Sequence, residues 1–146
     1  MLAHTDGMNQ TRSRLTSDYS DTLLGNFIGF TGQWDIGVPS GKKAIVLTAP
    51  DTPQWWWTVI AEDHWFHGRH EQAFNAVQKF YVEQHWLSHL LMAYMLPSLG
   101  RLGEAKVHVA TLLKLKPGFT IREANSYQTM WCYGPAYRDK MTDALR

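Results

Sequence analysis

The stretches WTVIAEDHWFHGRHEQAFNAVQKF (57–80) and HLLMAYMLPSLGRLGEAKVHVATLL (89–113) decide the fold, because they align with one spacing throughout. In each copy a helical pattern ends at a glycine, a short polar turn follows, and a second helical pattern begins with a small residue. A pattern that recurs in this way within one chain is typical of stacked structural units. The duplication predicts two helical hairpins of the same design.

Small residues at matching positions explain how each hairpin would close. Four alanines recur in the two copies: Ala61, Ala73, Ala93 and Ala105. A larger side chain at these positions would hold the paired helices apart and leave voids. Gly68 and Gly100 stand where the chain must reverse, a place that favours the left-handed backbone of glycine. After the second hairpin, Pro117 stops the helix.

This series resembles the tetratricopeptide repeat family, in which a large residue, a small pair, Gly, Ala, an aromatic residue and Pro recur over about 34 residues. The resemblance implies an all-α fold of antiparallel helical hairpins, stacked as a short tetratricopeptide-like α-solenoid. The repeats would cover about 19–50, 54–84 and 86–119, with the first one degenerate. Such stacks bind partners without performing chemistry, so the resemblance implies a scaffold and not an enzyme.

The segment GVPSGKKA (37–44) belongs to the first repeat in this register and is not a phosphate-binding loop. A Walker loop needs four residues between its glycines and a hydroxyl after its lysine. Only three residues separate Gly37 from Gly41, and Lys43 stands where the hydroxyl is required. Because Gly37, Pro39 and Gly41 are poor helix formers, we expect the second helix of this repeat to be short or broken. The surrounding unit resembles tetratricopeptide tails of bacterial regulatory and nucleotide-cyclase proteins.

The two ends of the chain differ from the repeats. Residues 1–18 are polar and lack apolar periodicity, which predicts a flexible lead-in. Residues 120–146 contain a capping box, Thr120 with Glu123, and a helix start at Pro135. They predict C-terminal capping helices that cover the open end of the stack, as such repeats require.

Composition limits the classes of partner. With 146 residues the chain has the size of one domain, and its net charge of +1 gives no basic field for nucleic acid or an anionic membrane. The longest apolar segment is too short to span a bilayer. The one cysteine, Cys132, excludes an internal disulfide and favours a reducing compartment, which indicates the cytoplasm.

Residues that could perform chemistry are weak candidates. His64 and His67 share one helix, and His85 and His89 share the next, but no HExxH motif or cysteine pair accompanies them. A small helical protein that binds a metal through these histidines stays a less favoured alternative. Cys132 is expected to be a buried, inert thiol. We therefore expect no catalytic residue, no metal site and no cofactor.

The aromatic residues are the best candidates for binding. In the tetratricopeptide register, the first helices of the second and third repeats would line a concave groove, the place where this family holds peptides. This predicted binding face consists of Trp55, Thr58, Glu62, Trp65, Phe66, Leu87, Leu90 and Tyr94. Trp and Tyr beside a few polar groups suit a partner site, while burial within the chain is an equally open alternative.

Several partners fit this face. The expected partner is a protein or a peptide, or the catalytic domain of a parent chain if these residues are the C-terminal regulatory part of a larger protein such as a nucleotide cyclase. A homo-oligomer is a further possibility.

Overall fold

The computed structural model describes residues 23–49 and 53–146, and every regular element in these two ranges is a helix. The all-α prediction is therefore confirmed for the described part of the chain. The predicted lead-in (1–18) lies outside the described residues, as do a few residues at both ends of the predicted first repeat. None of the helices in the described ranges combines the length and the apolar character that crossing a membrane requires.

The helices follow one another with short connections. Helix α1 is described at residues 23–30, and it is followed by α2 (Trp34–Thr48), a 3-10 turn (Gln54–Trp57), α3 (Thr58–Phe66), α4 (His70–Val77), α5 (Trp86–Met95), a second 3-10 turn (Leu96–Leu99), α6 (Leu102–Leu115), α7 (Ile121–Met130) and α8 (Pro135–Ala144). The two copies of the duplicated pattern form the pairs α3 with α4 and α5 with α6, which make the most extensive contacts among helices α2 to α8.

Glycine and alanine have the roles that the duplication predicts. Gly68 and Gly100 adopt positive φ angles of 78° and 72° in the turns of the two hairpins, and Gly32 does so, at 103°, between α1 and α2. The four matching alanines are at most 5% exposed. Their lack of bulk lets the paired helices approach, and their burial places them in the shared core.

Helix α2 is one continuous helix of 15 residues, so the expectation of a short or broken helix is wrong. The reason is close packing. A Cβ atom on Gly37 would lie 2.4 Å from Cα of Gly29 in α1, and one on Gly41 would lie 2.9 Å from a methyl group of Val59 in α3. Gly37 lets α1 and α2 meet nearly backbone to backbone, and Gly41 leaves room for the Val59 side chain of α3. These contacts outweigh the poor helix propensity of Gly and of Pro39.

The C-terminal helices begin as predicted. Thr120 accepts a hydrogen bond from the backbone N–H of Glu123, whose carboxylate accepts one from the N–H of Thr120 in return, which completes the capping box of α7. Pro135 opens α8. Helix α8 lies on α5, and Tyr137 and Met141 carry its buried side into the core.

Replacement of Gly37 by Ala tests the close approach of α1 and α2. We expect Gly37→Ala to lower the free energy of unfolding by about 1–3 kcal/mol, because the added methyl group meets backbone atoms that cannot move independently. Gly103→Ala is the matched control: Gly103 is also helical and has no atom within 4 Å of its Cβ position. This control should unfold at the same or a higher urea concentration than the original protein, and equal loss in both variants would contradict the packing explanation.

Candidate functional site

The structure divides the predicted binding face among three environments. Trp55, Thr58 and Leu87 line an open cleft. Leu90 is 1% exposed and lines a small cavity between α5, α6 and α7. The other four residues are in contact with the C-terminal segment: Glu62, Trp65, Phe66 and Tyr94. These four residues pack against the same chain, which was the alternative to partner binding. Their contact with a partner stays a prediction.

The open cleft, here called the aromatic cleft, has a volume of about 310 Å³. Helix α1, the 3-10 turn before α3, and helices α5 and α7 supply its walls, together with the connection between α7 and α8. Its lining residues are Leu23, Asn26, Phe27, Phe30, Trp55, Thr58, Leu87, Tyr127, Trp131 and Tyr133. The volume lies in the range of ligand sites, and none of these ten side chains carries a charge at neutral pH.

Ring contacts hold the aromatic walls in place. The rings of Phe30 and Tyr133 stack with centroids 4.3 Å apart, and those of Phe27 and Trp131 stack at 5.7 Å. Trp131 also contacts Tyr127, with centroids 6.1 Å apart. Stacked rings of this kind form a stiff apolar surface. The cleft therefore suits an apolar or aromatic group and would penalise a buried charge.

A second cavity of about 360 Å³ adjoins the aromatic cleft and shares its wall of Trp55, Thr58 and Leu87. The other residues of this side cavity are Gln54, Phe80, Val82, His85, Ser88 and Leu91. Because the same three residues line both cavities, an extended ligand can contact residues of both.

Asn26 is a polar residue in the apolar wall of the cleft. Its side chain is 2% exposed, and neither its Nδ2 nor its Oδ1 atom has a hydrogen-bond partner among residues 23–49 and 53–146. An unpaired buried amide costs about 1–3 kcal/mol of stability. The packing of the described residues gives no compensation for this cost, so the wall of the cleft is not optimised for stability alone.

Beneath the cleft lies a buried tyrosine cluster of Glu62, Tyr94, Tyr133 and Tyr137, each at most 8% exposed. The hydroxyl group of Tyr133 donates a hydrogen bond of 2.6 Å to Oε2 of Glu62. The hydroxyl groups of Tyr94 and Tyr137 share a hydrogen bond of 2.9 Å. The cluster joins α3 and α5 to the C-terminal segment through polar contacts inside an apolar core.

Burial raises the pKa of Glu62 to about 8, and hydrogen bonds from the tyrosine hydroxyls, that of Tyr133 first, offset only part of this effect. No ion pair among residues 23–49 and 53–146 includes Glu62, so no cation compensates its charge there. Burial also raises the pKa of the Tyr133 and Tyr137 hydroxyls, with Glu62 adding to the rise. At neutral pH the cluster is therefore uncharged.

Lys140 ties α8 to the end of α3. Its Nζ donates hydrogen bonds to the backbone carbonyls of Trp65, at 3.1 Å, and Phe66, at 2.8 Å. The last carbonyls of a helix lack partners within the helix and favour a cation. The ammonium group also lies 4.9 Å from the centre of the Trp65 ring, and burial lowers the pKa of Lys140.

The histidines contribute to turns and to the core. His67 pairs with Asp63, at 3.0 Å, and Arg69 binds both Asp63 and His64, so these residues fix the turn between α3 and α4. His89 is buried, and its ring lies 2.9 Å, between Nδ1 atoms, from that of His108. In the part of the chain that the structure describes, no group of three or more His, Cys, Asp or Glu could hold a metal ion.

Cys132 is exposed, so the expectation of a buried thiol is wrong. It occupies the connection between α7 and α8 with a φ angle of 65°, the left-handed region that favours glycine. This backbone turns the chain so that Tyr133, and not Cys132, enters the core. The aromatic neighbours of the cysteine gave the wrong indication because successive residues of a turn face different directions.

Sequence reasoning missed seven of the ten residues that line the aromatic cleft. The missed side chains come from α1 and from the region around the α7 to α8 connection: Leu23, Asn26, Phe27, Phe30, Tyr127, Trp131 and Tyr133. The available signal was the segment MWCYGP (130–135), whose aromatic density and Gly-Pro helix start mark a chain that turns back onto the core.

No family model, curated protein or solved structure matches this chain.

Ionisation of Glu62 predicts a loss of stability with rising pH. The pKa of Glu62 is about 8 in the folded protein and near 4.5 when unfolded, so the folded state holds an extra proton between these values. In that interval the group's contribution to the free energy of unfolding falls by up to about 1.4 kcal/mol per pH unit. We expect Glu62→Gln, which keeps the shape but cannot ionise, to exceed the original protein in stability at pH 8.5 by about 1 kcal/mol or more.

Urea unfolding at pH 5.5, 7.0 and 8.5 measures this difference. Glu71→Gln is the control, because Glu71 is an exposed acid on α4. If the difference between Glu62→Gln and the original protein stays constant with pH, Glu62 does not titrate as the structure indicates.

Proposed function

We propose that this chain is a non-catalytic protein-interaction module that binds an apolar segment of a partner protein in the aromatic cleft. The observation that carries the proposal is an uncharged cleft of about 310 Å³ with walls of stacked aromatic rings. Trp55 and Trp131 stand at this cleft with 40% and 38% exposure. Large aromatic side chains next to a preformed cavity are typical of the residues that dominate binding energy.

The proposed architecture is a short tetratricopeptide-like α-solenoid with a C-terminal cap. The duplicated hairpins, the left-handed glycines in their turns and the buried alanines support it. In such a stack the first helices of successive hairpins share one side, and the three predicted residues that line the cleft, Trp55, Thr58 and Leu87, come from the starts of two such helices. With the one cysteine favouring a reducing compartment, we place this activity in the cytoplasm.

The titratable groups near the cleft favour binding over catalysis. Glu62 accepts a hydrogen bond from Tyr133 of the cleft wall, and its side chain is only 2% exposed. A general acid or base must reach the proton that it transfers. Tyr127, which lines the cleft, has a pKa of about 12 because it is partly buried and near Glu62. A hydroxyl group of this kind is a hydrogen-bond donor at neutral pH.

Selection from a displayed library of random peptides tests the proposal. We expect the enriched peptides to carry apolar or aromatic residues, and we expect Leu87→Gln to weaken their binding by about tenfold or more, because a polar group then stands in the shared wall of the two cavities. Fluorescence anisotropy with the selected peptides measures the change.

Leu102→Gln is the matched control, since Leu102 is 59% exposed on α6 and lines none of these cavities. This control should leave binding unchanged. Enrichment of no peptide, or equal binding by Leu87→Gln and the original protein, would refute a peptide site in the cleft.

A further inference from the structure

The C-terminal segment lies on the predicted binding face in the manner of a bound peptide. The backbone N–H of Gly134 donates a 2.8 Å hydrogen bond to the carbonyl of Phe30 at the end of α1. Tyr133 and Tyr137 then enter the tyrosine cluster. One turn further along α8, Lys140 reaches the carbonyls at the end of α3. The segment thus contacts three helices through specific polar groups as well as through apolar area.

The buried side chains of the C-terminal segment include two tyrosines and a methionine. Tyr133, Tyr137 and Met141 are spaced at i, i+4 and i+8, and all three are at most 8% exposed. The ring of Tyr137 packs against Trp34, Trp65 and Phe66, with centroids 5.4–5.9 Å apart. Tyr137 and Met141 therefore lie on one side of α8, whereas Tyr133 lies in the connection before this helix and contacts the Tyr137 ring, with centroids 5.1 Å apart.

The connection that delivers α8 to this face is strained. Cys132 holds a left-handed backbone that is unfavourable for any residue with a side chain. Its side chain is exposed and gains no burial in return. The contacts of α8 with the binding face, and not the geometry of the connection, therefore hold the segment in place.

We propose that the face formed by Glu62, Trp65 and Tyr94 recognises a partner helix with the chemistry of α8, and that α8 is the intramolecular competitor of that helix. The partner helix would carry a tyrosine just before a Gly-Pro start, a second tyrosine at i+4, a lysine at i+7 and an aliphatic residue at i+8. This inference rests on the proposed function, because it assigns a partner to a protein-interaction module, at a second surface that shares Tyr133 with the aromatic cleft.

The polar groups of the face determine this specificity. Glu62 and the hydroxyl group of Tyr94 are buried, and each has a tyrosine of the C-terminal segment as its hydrogen-bond partner. A helix with phenylalanine in place of tyrosine would supply neither of these hydroxyl partners, which carries a penalty in a dry site. The carbonyls of α3 likewise favour a lysine of the partner over an apolar side chain.

A labelled synthetic peptide of residues 131–146 and the full chain test the proposal in trans. The chain's own α8 is tethered and so competes at a high effective concentration, which predicts weak binding to the original protein. We expect Lys140→Ala, which loses both hydrogen bonds to α3, to bind the peptide at least tenfold more tightly. Asp139→Ala is the matched control, because Asp139 is the exposed neighbour of Lys140 on α8, and it should behave like the original protein.

Two further variants complete the test. Tyr133→Phe in the chain removes a single hydroxyl and should also raise peptide binding, so the test stands if Lys140→Ala does not fold by circular dichroism. A peptide with both tyrosines replaced by phenylalanine should bind the Lys140→Ala chain at least tenfold more weakly than the original peptide.

Three results would overturn the inference: no binding to either weakened chain, equal binding by the original protein and the weakened chains, or equal binding of the phenylalanine peptide. A dimer formed without peptide, detected by native mass spectrometry, would also overturn it, since a second copy would then supply α8. If the 131–146 peptide does not bind but library peptides still bind in a way that depends on Leu87, only the inference about α8 is refuted. If the 131–146 peptide binds as expected but no library peptide binds in a way that depends on Leu87, the aromatic cleft is refuted as the binding site.

Discussion

The hydrogen bond between Tyr133 and Glu62 is the contact on which the arrangement of this protein depends. It joins residues 71 positions apart and lies where α3 faces the chain that returns from α7. Without Tyr133, the buried carboxyl group of Glu62 would lose a hydrogen-bond partner. The free-energy cost of a buried polar group without a partner exceeds the net stabilisation by a typical hydrogen bond. The hydrogen bond therefore fixes where α8 begins and how the aromatic cleft is walled, because the ring of Tyr133 also stacks on Phe30.

The same contact separates two surfaces with different chemistry. On one side of Tyr133 the aromatic cleft is open and uncharged. On the other side the tyrosine cluster and the carbonyls at the end of α3 are covered by α8 and Lys140. A residue that serves both surfaces couples them physically, since any movement of the C-terminal segment that withdraws Tyr133 from Glu62 also removes part of the cleft wall.

The sequence predicted those parts of the fold that depend on local rules. Left-handed glycines such as Gly68, and the capping box at Thr120, each follow from one backbone conformation, and both are confirmed. Helix α2 was mispredicted because helix propensity is a local quantity. The packing contact at Gly37 is with α1, and the sequence does not show that α1 approaches this residue. Only three of the ten residues that line the aromatic cleft were predicted, for the same reason. Trp55 follows from the repeat register, but Tyr133 reaches the site from a turn whose direction depends on the strained backbone of Cys132.

Three features of the structure are poorly explained by a purely structural role. A neutral acid at Glu62, an amide at Asn26 that has no partner among the described residues, and a left-handed Cys132 each lower stability. Apolar or glycine replacements would fold at lower cost. Natural chains carry such local conflicts mainly where another requirement opposes stability. Here all three lie along one path, from the wall of the aromatic cleft through the tyrosine cluster to the start of α8. A surface that must release its own helix to admit another needs a bound state that is specific but not maximally stable, because only a small free-energy difference can be reversed by a partner.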